Sequence, residues 1–409
     1  MRRRRATTCD PSPLHPRDGE AGDVMRWLAT GQLVGAGRQR WLPPAQRGHR
    51  NSGLNHKTRS KAQQQEAAVQ HLAIDLGGTK SQICVRTAEG QILHEQALET
   101  ARLGGYLKRQ PVSRVVLETC SEAFGIADLA VSFGHEVRVV PTMLVRSLGV
   151  GARRIKTDRR DAQVLSEVSC RIDLPSVHIP TELARQRRSM CTMREELVAT
   201  HTSLINCVRG WTRTRLLKIP SGDTKTFAKR MRAAAIATKD GLPEYVERLL
   251  QAIEALQRQI VAADDELRGL AEEDPVCQRL MTVPGVGPVT SMRFVAALDD
   301  RSRFPTAHAV EGFLGLTPGE NSSSERQQRT GITKAGPAPV RRALVQAAWN
   351  LRRLRPLDPI SQWAAQIEQR RGKFIATVAV ARKLAGILFA LWRDGSTYQP
   401  NHQASRCAT

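Results

Sequence analysis

"QHLAIDLGGTKSQICVRTAEGQILHEQALET", residues 70–100, decides how the ordered part of this 409-residue chain is read. Three short apolar runs, 72–76, 81–86 and 91–98, are separated by the turn signals "GGTK" and "AEGQ". Runs of that length broken by glycine-bearing turns predict an antiparallel meander of three strands. Asp75 stands inside the first run, where the pattern otherwise asks for an apolar residue. Working outward, "SRVVLETC" (113–120) reads as a buried strand closed by an acid, Glu118. "SEAFGIADLAVSFG" (121–134) has helical spacing, "HEVRVVP" (135–141) is another strand, and "KTDRRDAQVLSEVS" (156–169) is a closing helix. The order βββ-α-β-α-β-α predicts a mixed α/β domain.

Composition narrows the partners. Lys and Arg total 62 against 39 Asp and Glu, a formal charge of +23. Such an excess favours polyanions, above all nucleic acid, with an affinity that falls steeply as salt rises. The eight cysteines form no C-x-x-C pair, which excludes the usual zinc spacing and argues against a disulfide framework. Cys84 and Cys120 lie in apolar runs, where free cysteine packs as a small hydrophobe. The sequence reads as having no stretch of about 18 apolar residues, so no membrane span is expected. Nor does the "MRRRR" start lead into an apolar segment, as a signal peptide would. The expected location is the cytoplasm, in association with the nucleoid.

Five segments follow from the patterns. Residues 1–65 read as a disordered basic tail. Residues 66–180 are the α/β domain, and 181–275 are helical. There Val246, Leu249, Ile253, Leu256, Ile260, Ala263, Leu267 and Leu270 occupy a and d positions over four heptads. That seam fits either a coiled coil between subunits or a helical hairpin inside one chain. Residues 276–394 form a Gly-rich, mainly α domain, and 395–409 a polar tail.

Four acids are the chemical candidates. Asp158 and Asp161 are three apart, neighbours on one helical face. Asp75 and Glu118 sit at strand ends, where a carboxylate is costly unless paired or coordinated. Each has an ordinary reading: Asp75 could cap a turn, Glu118 could pair an arginine, Asp158 could be an N-cap. Converging, they would suit a hard divalent cation, Mg²⁺ or Mn²⁺, which takes oxygen ligands. Two such ions roughly 3.5–4 Å apart clamp the attacking and leaving oxygens of a phosphodiester. "IDLGGTK" also matches the phosphate loop of actin-like sugar kinases, but no second nucleotide loop or sugar motif follows, and +23 ill suits a sugar substrate.

A second constellation is "GFLGLTPGENSSSERQQRTGITKAGPAPVRRALVQAAWNLRR". It places three serines in a polar loop, followed by Arg326, Arg329 and Lys334 and then a basic helix. Serine is a weak nucleophile unless cations hold its phosphate target or a base assists it. "VPGVGPVT", with Gly285 and Gly287, resembles the hairpin of helix-hairpin-helix modules, whose backbone N–H groups meet a DNA phosphate. The alternative is a plain packing corner between helices.

Taken together, "AIDLG", "VVLETCS", "GHEVRVVP", "KTDRRDA", "VPGVGP" with "GFLGLTP", and "GITKAGP" resemble the transposases of the insertion-sequence-110 family over residues 70–390. The linked "GHEVRVVP…KTDRRDA" is the distinctive part; "IDLG" alone is weak. The resemblance implies an RNase H-like (RuvC-like) domain whose DEDD tetrad falls on Asp75, Glu118, Asp158 and Asp161. It implies a carboxy-terminal serine that links covalently to DNA, forming a composite site with the acids of another subunit. Family members usually show two serines then glycine, which places Ser322, Ser323 and Ser324 in register. Ser324 thus replaces a glycine, Thr330 also stands where glycine is common, and Ser323 is favoured over Ser322 as nucleophile. The resemblance further implies double-stranded DNA as substrate (element ends and target), a structured guide RNA, and a homo-oligomer, dimer or tetramer. The expected function is a recombinase that excises and inserts its element. The alternatives are a structure-selective, metal-dependent endonuclease using water, and a catalytically inactive DNA-binding relic.

Overall fold

The structure, a computed structural model, describes residues 69–147, 158–236, 241–320 and 329–400. The basic tail 1–65 lies outside the described residues. The chain falls into two compact units that part between Thr181 and Glu182.

In the first unit the opening stretch forms the expected meander, β1 (Gln70–Asp75), β2 (Lys80–Arg86) and β3 (Ile92–Glu99), antiparallel throughout. β4 (Ser113–Glu118) and β5 (Glu136–Val140) then join in parallel on the other side of β1, giving the order β3-β2-β1-β4-β5. Central β1 is covered on both faces, which is why it reads as a continuous apolar run rather than an alternating one. Leu72 and Ile74 face a core made with α1 (Leu103–Leu107) and α2 (Ala123–Ser132), through Leu107, Ala127 and Ala130. Ala73 faces the opposite layer, where α4 (Asp158–Arg171) packs Leu165 against Val116 and Val140. A short helix, α3 (Thr142–Ser147), follows β5. β3 is the exposed, polar edge strand.

Polar contacts fix α4 on the sheet. His71 Nδ1 lies 2.7 Å from Ser169 Oγ, Arg86 Nε donates to Ser166 Oγ at 2.9 Å, and Arg159 pairs with Glu95 at 2.6 Å. Gln163 also donates to the Glu95 carboxylate. These partners lie on β1, β2 and β3, so the helix is held across three strands.

The second unit is helical. α5 (Glu182–Thr214) and α7 (Glu244–Glu273) pack on each other as a long hairpin, with α6 (Phe227–Ile236) between them in sequence. Ion pairs Arg194–Asp264 (2.7 Å) and Arg187–Asp274 (2.5 Å) link the hairpin's two helical arms. The heptad therefore serves packing inside the chain. Its a residues Val246, Ile253, Ile260 and Leu267 are all buried, whereas Leu249 and Leu256 of the d row are partly exposed and Leu270 is exposed. Leu250 and Ala271, one place beyond d, are buried instead. The buried stripe therefore follows the a row and leans to the e position rather than to d.

Beyond the hairpin come α8 (Pro275–Met281), α9 (Pro288–Leu298), α10 (Ala307–Phe313), a two-stranded ribbon of β6 (Pro318–Glu320) and β7 (Arg329–Ile332), then α11 (Ala338–Leu354), α12 (Pro359–Arg371) and α13 (Lys373–Asp394). α13 corrects the sequence reading: it is long and apolar enough to cross a membrane by length and composition. Its apolar side instead forms core, with Val380, Leu384, Leu388 and Phe389 buried against α8, α10 and α11. Its central charges are engaged, Arg382 with Glu311 at 2.6 Å and Lys383 over the Trp363 ring at 4.7 Å. The last segment is also less free than its composition suggests. The Tyr398 hydroxyl donates to Asp358 at 3.0 Å and its N–H to Thr282 Oγ1 at 2.9 Å.

The described cysteines are all free thiols. Burial pushes the Cys277 thiol up to about 12, so it packs as an inert hydrophobe. Cys84 is buried as expected, while Cys120 is only partly so.

Candidate active site

β1 and β4 end side by side. The parallel pairing of Ile74 with Leu117 puts Asp75 and Glu118 one residue further along neighbouring strands, both partly exposed. Strand carboxyl ends are where open α/β sheets place ligands, because the covering elements diverge there. The Glu118 carboxylate has no hydrogen bond or ion pair among the described residues, so the ordinary reading of an arginine-paired glutamate finds no support there.

The helix brings the third acid. Ser169 touches His71 at the start of β1, and residues 159 and 163 hold Glu95, which lies across from Cys84 on β2. α4 therefore runs antiparallel to β1. From Ser169 back to Asp161 the helix climbs about 12 Å, and from His71 to Asp75 the strand climbs about 13 Å. Asp161 thus comes level with Asp75, and it is buried, 8% exposed. Asp158 opens the same helix one turn earlier; its side chain lies outside the described residues.

Among the described residues no three His, Cys, Asp or Glu side chains converge tightly enough to hold a metal ion. The donors gathered at this end are nevertheless all carboxylate oxygens, the set that suits a hard divalent cation rather than zinc or copper.

In the second unit, "GFLGLTP" and "GITKAGP" cross backbone to backbone. A Cβ at Gly315 (φ +69°) would lie 2.0 Å from Ala335 O, and one at Gly336 (φ +76°) 1.9 Å from Phe313 O. This knot forms the base of the β6–β7 ribbon, whose strands pair Pro318 with Ile332 and Glu320 with Arg329. The serine loop joins the two strands of the ribbon in sequence. Ser322, Ser323, Ser324 and Arg326 lie outside the described residues, as does the Arg329 side chain. Lys334 sits in the knot with a left-handed backbone (φ +55°), its N–H on Gly315 O at 3.1 Å. Thr330 Oγ1 lies where a Cβ on Gly319 would meet it at 2.6 Å, so the threonine is matched by a glycine across the ribbon.

Arg341, at the start of α11, was missed by motif reading. It is 6% exposed, and its Nη1 donates to Leu314 O (3.1 Å), Ala335 O (2.8 Å) and Gly336 O (2.9 Å). Burial lowers its affinity for a proton, and neighbouring Arg342 adds to this. A signal was present: Arg341 falls in phase with Leu344, Val345 and Ala348, on the apolar face of its helix. Others of that basic helix are also spent internally. Arg342 pairs with Glu195 at 2.7 Å, and Arg352 donates to Glu368 and, at 2.7 Å, to Thr377. Burial pushes Glu195 upward, but Arg293 and Arg342 together hold it below the ordinary carboxylate range.

The Gly hairpin divides its labour. Gly285 (φ +87°) has no room for a Cβ, which would meet Ala347 O at 2.5 Å and Leu351 N at 2.8 Å on α11. Packing alone therefore requires Gly285. Gly287 faces open space at the amino end of α9. Gly285→Ala is expected to destabilise this unit by at least about 2 kcal/mol, from a forced positive φ plus a backbone collision, and Gly287→Ala by far less; chemical denaturation of each variant checks this.

Comparison with known proteins agrees with both halves. Residues 72–212 match a family model of DEDD transposases of the IS110 type, described as "Transposase", and residues 277–360 match the "Transposase IS116/IS110/IS902 family". The chain is 28% identical over 336 residues to the transposase for insertion sequence element IS1111A of Coxiella burnetii, covering 80% of this chain and 91% of that one. It is 26% identical over 336 residues to the transposase for insertion sequence element IS1328 of Yersinia enterocolitica, covering 80% and 98%. With "Putative transposase y4qE" of Sinorhizobium fredii it shares 30% identity over 318 residues, 67% of this chain and 75% of that one. With an acid-bearing mixed sheet, a helical carboxy-terminal region and matches of this extent, the chain belongs to the IS110 family of transposases.

Proposed function

We propose that this transposase cleaves and rejoins DNA strands by covalent serine chemistry at a site whose acids are Asp75, Glu118, Asp158 and Asp161. The observation that supports it most is the placement of Asp75 and Glu118 at adjacent strand ends with Asp161 level beside them. A divalent cation held there, Mg²⁺ or Mn²⁺, would neutralise charge building on the scissile phosphate. Ser323, or Ser322 next to it, attacks the phosphorus and gives up its hydroxyl proton. The bond to the leaving DNA oxygen breaks, and that oxygen takes a proton. One phosphodiester replaces another, so little energy is lost and a second DNA hydroxyl can reverse the step onto a new strand. Lys334 and, on the sequence reading, Arg326 and Arg329 would hold the phosphate near the serine loop.

The +23 charge suits a protein that also holds a structured guide RNA and two duplexes. The partly exposed d row of α7, with Leu249, Leu256 and Leu270, offers an apolar face for assembly into a dimer or tetramer. Nucleoid association follows from the substrate.

The test is incubation of the full chain with element-end and target DNA, the element's RNA and Mg²⁺, scored for a denaturation-resistant protein–DNA adduct. The wild type is expected to form it, and the double variant Ser322→Ala/Ser323→Ala to lose it by at least about 10³-fold. Strand cleavage by that double variant at the wild-type rate would mean water is the nucleophile.

A further inference from the structure

We infer that the far end of the helical hairpin, away from the acidic cluster and the serine ribbon in sequence, is a binding site for the phosphodiester backbone of a nucleic-acid strand, seated between Arg209, Arg213 and Arg230.

Several arginines of this unit are spent on internal carboxylates: Arg187 on Asp274, Arg194 on Asp264, Arg293 and Arg342 on Glu195, Arg382 on Glu311. The hairpin end differs. Across residues 205–232 eight side chains are Lys or Arg and one, Asp223, is acidic. Among the described residues only Arg232 of these is ion-paired, with Glu247 and Glu254. Asp223 is occupied as a cap, accepting from Lys225 N at 2.9 Å. Arg209, Arg213 and Lys218 have no carboxylate partner among the described residues.

The basic groups also line a concavity rather than a convex face. α5 ends in a turn closed by Leu217 N on Thr212 O at 3.0 Å, with Leu216 in a left-handed conformation (φ +55°). The chain then returns in an extended run, and Phe227, buried at the start of α6, forms the floor. The result is a cleft of about 360 Å³ bordered by Arg209, Arg213, Gly222, Phe227 and Arg230. Its walls are fixed in advance. Arg230 donates to Asp223 O at 2.6 Å, to Thr226 Oγ1 at 3.2 Å and to Pro220 O, tying the extended run to α6. Arg209 and Arg230 both stack on Phe227, with guanidinium carbons 5.5 and 6.0 Å from its centroid. Two guanidinium groups within about 6 Å of one ring concentrate positive charge on the lining of the cleft, and a bound anion offsets it. Phosphate matches the planar donor fork of arginine, and a strand backbone supplies phosphates in series to the flanking Lys218, Lys225 and Lys229.

This site goes beyond the serine and metal reading and does not depend on it, since it concerns binding and not cleavage. The test uses the full chain and short labelled single-stranded RNA, single-stranded DNA and duplex DNA of one sequence, with binding followed by fluorescence anisotropy across a salt series. Arg213→Glu is the informative variant, because the side chain is exposed and without a partner, so the fold survives. It is expected to weaken binding about tenfold at moderate salt and to lower the slope of log affinity against log salt by about one. Arg213→Lys is expected to retain most of the slope. The probe that loses most identifies the strand, RNA or DNA, that the cleft takes. Unchanged binding of all three probes, or a loss no larger than that caused by Arg371→Glu at the end of α12, would overturn the assignment.

Discussion

Asp161→Asn is expected to leave this transposase folded and able to bind DNA with undiminished salt dependence while losing strand cleavage by roughly 10²–10³-fold. The magnitude follows from removing one anionic ligand of a cation that contributes several kcal/mol to a charged transition state, at about 1.4 kcal/mol per factor of ten. Asp161 is the informative position because it is buried on the helix that covers β1, whereas Asp75 and Glu118 are half open. Asparagine keeps the shape and removes the charge, so packing against the sheet is preserved. Gel-resolved cleavage of an end-containing duplex gives the rate, and anisotropy gives the binding. Cleavage at the wild-type rate would remove Asp161 from the site.

Arg341→Met is expected to lower the thermal midpoint of the carboxy-terminal unit by roughly 6–12 °C. Its guanidinium serves three carbonyls, Leu314, Ala335 and Gly336, at the crossing of the two glycine segments. Removing it strands those acceptors away from water, at about 1 kcal/mol or more each, or about 3 kcal/mol together; a unit of this size loses about 2–4 °C per kcal/mol. Arg341→Lys keeps the charge without the planar fork and should recover part of the loss. Because the same crossing is the base of the ribbon that carries the serine loop, Arg341→Met should also depress adduct yield at temperatures where the variant remains folded. Calorimetry and adduct yield measured on one preparation separate the two effects. An unchanged midpoint would mean that water replaces the guanidinium in the knot.

The local elements of the first unit were legible because its patterns are local. Each strand of the meander is a run of 6–8 residues bounded by turn signals, and the acid at the end of "VVLE" marks where the strand stops being buried. Placing β4 beside β1 rather than β3 required long-range pairing, which periodicity does not encode. α4 could be read as a helix, but its direction depends on His71, Arg86 and Glu95 finding partners about 65 to 100 residues away.

In the second unit the heptad gave the right helix and left its partner open. The buried stripe shifts off the d row because α7 packs on a neighbouring arm over a limited length. α13 was missed as an apolar helix because Arg382 and Lys383 interrupt it, and only the fold reveals Glu311 and Trp363 as their partners. Net charge pointed to nucleic acid but not to a surface. Separating Arg213 from Arg342 needs knowledge of which arginines already hold a carboxylate. Of the candidate site, Asp75 and Glu118 end neighbouring strands and Asp161 lies level with Asp75 on the covering helix, while Gly285 is explained by the backbone of α11.

On the proposed reading, Asp75, Glu118, Asp158 and Asp161 form one divalent-cation site. Titration of the full chain with Mn²⁺, followed by electron paramagnetic resonance or calorimetry, tests it without requiring DNA, RNA or cleavage. Saturable Mn²⁺ binding is expected, competed by Mg²⁺ and lost in both Asp75→Asn and Asp161→Asn. Binding that persists unchanged in both variants would contradict it.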